Sequence, residues 1–498
     1  MCIVLEKLEN ENTAFKKEIK RLKEQITYLK RMMFGKKKET IISDDTPLLP
    51  NFEMPDPDSV EEEEEEEEII IKRKKKKRKP FTHFDFPENA PREEIIFDLS
   101  EEEKTGLVYI GSDKVEKLGY RPGSYFVKVL ITKKYADPKH PENGVLVPEK
   151  PLPAIQGSRV DESMLAYLLI SKYCDHLPLN RLEGIVSRDG LDIGRQTLSS
   201  WAHKSGALLQ PLVDLHFEII MSHKAVFTDD TTIPVQVKGA GKTKTGRIWV
   251  YASGGGADPP LVYYQFTHDR KEEHTLNKFK NFQDAFHSDA FSAYEKLATR
   301  DGVTWLPCWA HARRKFFDCI TSDPIKMNIL EKINNLFEKE QEAWAIDNID
   351  GYTDSDKAEE RLTFRNENCK PIVDEIFLEI RNALKTGKYM PKDSLTLAMG
   401  YLMKREKYFK NFLTNSDARI DNNVSERNIK PLTLGRKNWL FVGSDNGGNT
   451  TACILSLVQT CKNLKINPRE YLEDVLRRIN NTPKEKLIEL LPQNWKNN

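Results

Sequence analysis

Acidic residues in three stretches of the chain have the types and surroundings that metal-dependent phosphoryl transfer requires. Asp229 and Asp230 lie in AVFTDDTTIPV (225–235), Asp289 in DAFHSDAFSAYEKLA (284–298), and Glu426 in DARIDNNVSERNIKPLTLGRKNWLFVGSDNGG (417–448). Phosphodiester transfer needs an activated oxygen nucleophile and a stabilised leaving oxygen, and two divalent ions about 4 Å apart serve both. Mg2+ is a hard ion that prefers carboxylate oxygens and keeps several waters. Crowded carboxylates repel one another, and a bound metal relieves that repulsion. Each acid also has a plain structural alternative. A lone aspartate often caps a turn, and Asn423 followed by Glu426 fits a helix capping box. Adjacent strand residues point to opposite faces, so only one of Asp229 and Asp230 can face the metals.

The elements around these acids must bring them together. GRIWVYAS (246–253) and LVYYQFTHD (261–269) are apolar, β-branched and aromatic strand candidates. EEHTLNKFKNF (272–282) has helical spacing, a strand runs through Asp289 into a helix, and VTWLPCWAHARRKFFDCI (303–320) repeats strand then helix. The order β-β-β-α-β-α-β-α describes a ribonuclease-H-like α/β core at 223–320. In that fold one acid sits on the first strand and a second at the end of the fourth. Residues 321–414 are charged and helical and read as a helical insertion. The core resumes at 415–448 with a glutamate helix and a basic loop, and 449–498 forms a C-terminal helical region. Arg427, Lys430, Arg436 and Lys437 make a basic patch around Glu426, suited to phosphate contacts. The stretch from Gly443 to Gly448 reads as a glycine-rich loop. In CWAHARRKFF (308–317), a metal reading through Cys308, His311 and Cys319 lacks a second ligand pair. His311, Arg313 and Arg314 instead suggest a polar helix face near phosphate, with an ordinary surface helix as the alternative.

Upstream, the chain changes character several times. Leu5, Leu8, Asn12, Phe15, Ile19, Leu22, Ile26, Leu29 and Met33 recur at spacings of three and four, which predicts a self-associating coiled coil over 1–34. Residues 35–80 hold four prolines before a glutamate run (61–68) and a Lys/Arg run (72–79), the composition of a disordered linker. Residues 81–155 form a small β-rich module with strand-like runs such as SYFVKVLITKKYA (124–136). Residues 156–222 are helical, and a break between Gly190 and Gly194 outlines a helix-turn-helix. Arg195, Gln196, Thr197 and Ser200 lie early in its second helix, where DNA-reading residues would stand.

Bulk composition narrows the class. A chain of 498 residues implies three or more structural units. No apolar run is long enough for a bilayer-spanning helix, and the N-terminus turns acidic too early for a signal peptide. The seven cysteines are scattered without a CxxC pair, which points to a reducing cytoplasm and against structural zinc. The net charge of +0 averages over blocks that need not act together.

Several long motifs, in order, resemble the insertion sequence 66 family of bacterial transposases. They are SKYCDHLPLNR (171–181), TDDTTIPV (228–235), KTKTGRIWVY (242–251), CWAHARRKFF (308–317) and IDNNVSERNIKPLTLGRKNWLFVGS (420–444), and the likeness runs on to the terminal LLPQNW. The resemblance implies a DDE-type DNA transposase. Asp229, rather than Asp230, would join Asp289 and Glu426 in holding two Mg2+ or Mn2+ ions. The enzyme would cleave the element's ends and transfer the freed 3′-hydroxyl into target DNA. Its partners would be double-stranded DNA (terminal repeats and target), a second or further copy through the coiled coil, and small accessory proteins of the element. No membrane would be involved, and the protein would be cytoplasmic, associated with the bacterial nucleoid. One region departs from the family. Residues 81–155 lack the two cysteine pairs of its zinc-finger-like module, so no zinc is expected there. Two other readings stand beside this one: a plain nuclease on the same fold, and a decayed copy that only binds DNA or pairs with an intact transposase.

Overall fold

The computed structural model describes Tyr125, Tyr135–Ala136, Val145–Leu146, residues 151–254 and residues 258–496. The coiled coil expected at 1–34, the linker at 35–80 and most of the module at 81–155 lie outside these residues. Of that module, a two-residue antiparallel ladder is described, with Tyr135 opposite Leu146 and Ala136 opposite Val145.

Five strands form one mixed sheet. They are β1 (Ala225–Gln236), β2 (Thr243–Ala252), β3 (Val262–Thr267), β4 (Ala285–Ser288) and β5 (Thr304–Pro307). Across the sheet they lie in the order β3-β2-β1-β4-β5. The first three pair antiparallel, and β4 and β5 add on parallel to β1. Parallel addition requires crossovers, and helices supply them. The apolar run Ile248–Ala252 of β2 and the largely apolar β3 suit strand segments covered on both faces. Trp249, Tyr251, Tyr264, Phe286 and Trp305 are fully buried.

The helices follow in chain order. They begin with α1 (Glu162–Leu169), α2 (Leu179–Arg188) and α3 (Arg195–Ile220), before the sheet, and α4 (Glu272–Lys278), α5 (Ser292–Leu297) and α6 (Trp309–Phe317), within and just after it. A helical stretch then runs through α7 (Pro324–Ala345), α8 (Asp354–Phe364), α9 (Lys370–Lys385), α10 (Ser394–Met403) and α11 (Glu406–Phe409). The last three are α12 (Asn423–Trp439), α13 (Asp445–Asn463) and α14 (Pro468–Arg478). No helix among the described residues is long and apolar enough to cross a membrane.

β3 is an edge strand, and two of its outward N–H groups are covered. Val262 N–H donates to Thr460 Oγ1 (3.1 Å) and Tyr264 N–H to Ser456 Oγ (2.9 Å), both hydroxyls from α13. His216 of α3 joins the same seam, with Nε2 at 3.1 Å from both Val262 O and Thr460 Oγ1. α13 can come this close because Gly448 has no side chain. A Cβ there would lie 2.5 Å from the Phe266 ring, and one at Gly246 would lie 2.8 Å from it.

Three sequence expectations are corrected by this architecture. The stretch from Gly443 to Gly448 is not a glycine-rich loop. Ser444 caps α13 by accepting the Gly447 N–H, and both Gly447 and Gly448 lie in its first turn. Nor are Arg436 and Lys437 on a basic loop, since they occupy the last turn of α12. β4 stops at Ser288, so Asp289 stands just past the strand end.

Candidate active site

Asp229 and Asp230 are neighbours on β1, opposite Val250 and Trp249 of β2. Alternation sends them to different surroundings. The Asp230 side chain is 2% exposed and is held by two guanidinium groups. Arg247 Nη1 donates to Oδ2 (2.7 Å), while Arg270 Nε and Nη2 donate to Oδ1 (3.0 and 2.7 Å). Arg270 also lies over the Phe291 ring, 4.4 Å from its centre. Asp229 has no ion pair among the described residues. Its Oδ1 accepts the Asp230 backbone N–H at 2.7 Å. Burial drives the Asp229 pKa well above the usual carboxylate value. The nearby charge of Asp289 adds to the rise, as do those of Asp230 and Glu426, against the opposing Asp230 N–H.

Asp289 follows β4 and accepts the Phe291 N–H at 3.1 Å. Burial raises its pKa too, while the Phe291 N–H and Arg270, at 3.8 Å, pull the other way.

Glu426 stands in the first turn of α12. The capping box suggested by Asn423 and Glu426 does not form. The helix is capped at Asn422, without a side-chain bond to its first turn. The Asn422 amide instead donates to the carbonyl of Thr228, the residue before Asp229 (2.9 Å). Glu426 Oε1 is buried without a hydrogen-bond partner, and so is His311 Nδ1, 3.8 Å away. Cys308 completes this group: its sulfur and the ligand atoms of His311 and Glu426 lie within 4.8 Å of one another. Cys308 Sγ accepts the Asn422 N–H (3.3 Å), and burial pushes its thiol pKa upward. Burial lowers the His311 pKa, Arg314 and Lys315 reinforce this, and Glu426 opposes it.

The approach to α12 is tied across the ends of the sheet. Arg419 N–H donates to His287 Nε2 of β4 (2.9 Å), and Trp309 N–H, just after β5, donates to Ile420 O (2.8 Å). Further along, Tyr264 Oη donates to Asn428 O (2.5 Å), and Arg436 donates to Thr232 O. Both halves of α12 are thereby fastened to the sheet. The result is three carboxylates on three separate elements, close enough for Asp229 to feel both others, with too little positive charge to neutralise them. Such a group can hold divalent cations.

Comparison with known proteins identifies the family. The family described as Transposase IS66 family matches residues 157–450, its IS66 C-terminal element matches 456–493, and Transposase C of IS166 homeodomain matches 21–95. The chain belongs to the IS66 transposase family. Two uncharacterized proteins of Sinorhizobium fredii (strain NBRC 101917 / NGR234) are similar along most of their length. Protein y4qI is 33% identical over 433 residues, covering 84% of this chain and 77% of its own. Protein y4hP is 30% identical over 415 residues, covering 78% and 72%. IS66 membership implies a DNA transposase, and so a protein that binds DNA.

The remaining candidate residues of this IS66 chain divide into groups. Arg427, Lys430 and Lys437 are exposed on α12. Arg195 and Gln196 are exposed at the start of α3, following α2 and a turn through Gly190 (φ 88°). α3 runs on for 26 residues to its packing against β3 and α13, well beyond a short reading helix. His311, Arg313 and Arg314 do not share one polar face. His311 turns toward Glu426, Arg313 donates to Asn334 of α7 (2.7 Å), and Arg314 is exposed. Cys319 does not join Cys308 and His311 either, since its thiol donates to Lys315 O. Sequence reading missed Arg247, Arg270 and Asn422. Arg247 was accessible through hairpin register, because it sits opposite Thr232 and diagonal to Asp230. Arg270 and Asn422 carry no local signal.

Proposed function

We propose that the chain is a DDE-type DNA transposase with Asp229, Asp289 and Glu426 as its catalytic acids. The observation that carries this reading is the contrast within the Asp229–Asp230 pair. Two arginines neutralise Asp230, while Asp229 is buried beside other acids with its pKa raised. The strand order β3-β2-β1-β4-β5, with acids on β1 and after β4, supports a ribonuclease-H-like core. On this reading 223–320 and 415–448 form the core, 321–414 is a helical insertion, 156–222 binds DNA, and 449–498 is a C-terminal helical region.

The three carboxylates fit hard divalent ions, since the buried Glu426 Oε1 lacks a partner and Asp229 lacks a cation. Two Mg2+ or Mn2+ ions there would activate the attacking oxygen and stabilise the leaving one. Asp229 and Asp289, placed by β1 and β4, would hold the ions through which the scissile phosphate is positioned. Glu426 closes the cage from α12, which the bond from Asn422 to Thr228 holds against β1. In cleavage, water attacks the phosphorus at an element end and the 3′-oxygen leaves. In transfer, that 3′-hydroxyl loses its proton and attacks a target phosphorus, forming one P–O bond as another breaks. The coiled coil at 1–34 would pair protomers so that two ends are handled together, and small proteins of the same element would assist at the nucleoid. Arg195 and Gln196 would read the ends, and Arg427, Lys430 and Lys437 would meet phosphates.

The test is cleavage of duplex DNA carrying the sequences that flank the gene, with Mg2+ or Mn2+, comparing the natural protein with Glu426→Gln. Cutting by the natural protein alone, stopped by EDTA, supports the assignment. Equal cutting by both makes Glu426 structural. Cutting without joined donor–target product selects the plain nuclease, and no cutting by either favours a copy that only binds.

A further inference from the structure

Between α12 and α13 the chain makes an unusual turn. Leu440 has φ 64° and ψ −47°, and Phe441 N–H donates to Trp439 O at 2.7 Å. This is a γ-turn of the rare positive-φ kind, a strained shape for a bulky residue. Its neighbours impose it. Leu440 N–H still closes α12 onto Arg436 O (2.9 Å). Two residues on, Val442 is already locked to β1, donating to Pro234 O (3.0 Å) and accepting from Gln236 N–H (2.9 Å). The two apolar side chains at the turn gain nothing from the core. Leu440 is 64% exposed and Phe441 is 40% exposed.

The surroundings of this tip are basic. Residues 236–245, the β1–β2 hairpin, and residues 436–445 together carry Lys238, Lys242, Lys244, Arg436 and Lys437 against a single acid, Asp445. Asp445 pairs with Lys244 (2.9 Å). Lys238, Lys242 and Lys437 are exposed. An apolar tip of two residues, on a segment that meets a lysine-rich hairpin, does not suit a protein interface, whose core is broader and depleted of lysine. It suits duplex DNA, where basic side chains hold the phosphates and an apolar wedge enters a base step from the minor groove.

We propose that Leu440 and Phe441 form a wedge that unstacks a base step of bound duplex DNA, flanked by phosphate contacts from the β1–β2 hairpin. The inference rests on the reading of the chain as a DNA transposase, but not on its catalytic acids. It also places the contact. Trp439 lies about 20 Å along α12 from Glu426 at 1.5 Å per residue. With the duplex running along α12, at 3.4 Å per base pair, the wedge would fall roughly six base pairs from the scissile phosphate.

The experiment uses the full chain and duplex DNA carrying the gene's flanking ends, with 2-aminopurine scanned along it and Ca2+ replacing Mg2+. The natural protein should raise fluorescence several-fold at a step roughly six base pairs from the cut. Leu440→Gly/Phe441→Ser should abolish the rise. Glycine tolerates positive φ, so the fold is spared, and an unchanged unfolding midpoint checks this. Lys238→Ala/Lys242→Ala should keep the rise but reduce the slope of log affinity against log salt by about 2. No rise with the natural protein, or an equal rise with the double wedge variant, overturns the proposal. So does a wedge variant that alters only self-association in sedimentation, which makes the tip a protein contact. Unstacking without cleavage in Mg2+ would retain the wedge and defeat the assigned chemistry. Cleavage without unstacking would do the reverse.

Discussion

Arg365 of the helical stretch and Asp229 of β1 are both charged groups held out of water, yet their surroundings differ in kind. Arg365 is fully buried, and all five of its N–H donors are satisfied. Two go to the Glu340 carboxylate (2.7 and 2.8 Å), and the others to the carbonyls of Phe412 (3.1 Å), Asn415 (2.7 Å) and Ala418 (2.6 Å). Trp344 stacks near it, with Arg361 and Arg419 over the same ring. Asp229 has other acids for neighbours and no counter-cation. A completed ionic network specifies a structure, whereas an incomplete one is an unstable arrangement that a ligand can complete. The two are linked in the chain, because the carbonyls that Arg365 gathers belong to the segment leading to Asn422 and Glu426.

The comparison makes opposite predictions for removing charge in the two places. The largest effect is expected at Arg365. Arg365→Met leaves Glu340 buried and unpaired and should cost about 3–5 kcal/mol in chemical denaturation. Adding Glu340→Met should recover most of that loss, and a double variant as unstable as the single one would break the argument. Next comes Asp230→Asn, which removes the charge from a doubly clamped carboxylate. With both arginines partly in solvent, a loss of about 1–2 kcal/mol is expected. The third prediction concerns His287, stacked on Phe227 at 4.0 Å and held by burial and Arg419 at a pKa of about 3. Above pH 6.5 it is neutral folded or unfolded and contributes no pH dependence. As pH falls below 6.5, the unfolded chain takes up a proton that the folded chain refuses. Stability then drops by up to about 1.4 kcal/mol per pH unit until about pH 3. His287→Gln, measured by thermal unfolding across that range, should flatten the slope, leaving the contribution of His216, held at about 4. The smallest effect has the opposite sign. Asp229→Asn should stabilise the protein at pH 7 by about 0.5–1 kcal/mol, the usual direction at a site strained for function. Its advantage should shrink as pH falls and Asp229 becomes protonated. Mg2+ should raise the unfolding midpoint of the natural protein more than that of the variant. If neutralising Asp229 and Asp230 destabilises equally, the distinction between them fails.

Much of the scaffold was readable from local chemistry. β-branched and aromatic runs located the five strands, and the glycines at 190 and 194 located the break between α2 and α3. The element order followed from those runs alone. What escaped was set by approach between distant segments. Glycines at 447 and 448 signal a loop by composition, but Ser444 caps a helix there and the Phe266 ring leaves no room for a side chain at 448. Asn423 and Glu426 match a capping box by spacing, but Asn422 is drawn away by Thr228, on a strand almost two hundred residues earlier. Cys308 and His311 were considered with Cys319 because it is near in sequence, whereas the group that meets them is Glu426. The choice between Asp229 and Asp230 needed the positions of two arginines, one of them on a loop after β3 with no periodic signature.

The hydroxyls of Ser456 and Thr460 that cover β3 bear on how a damaged gene copy behaves. A stop codon placed between residues 449 and 455 would spare all three acids, both clamping arginines and the basic residues of α12. It would nevertheless uncover the N–H groups of Val262 and Tyr264 along an aromatic strand. Open edges of that kind recruit strands from other chains. Such a truncated product should be found in the insoluble fraction of the cell, and so would neither cut DNA nor compete with an intact copy for its ends.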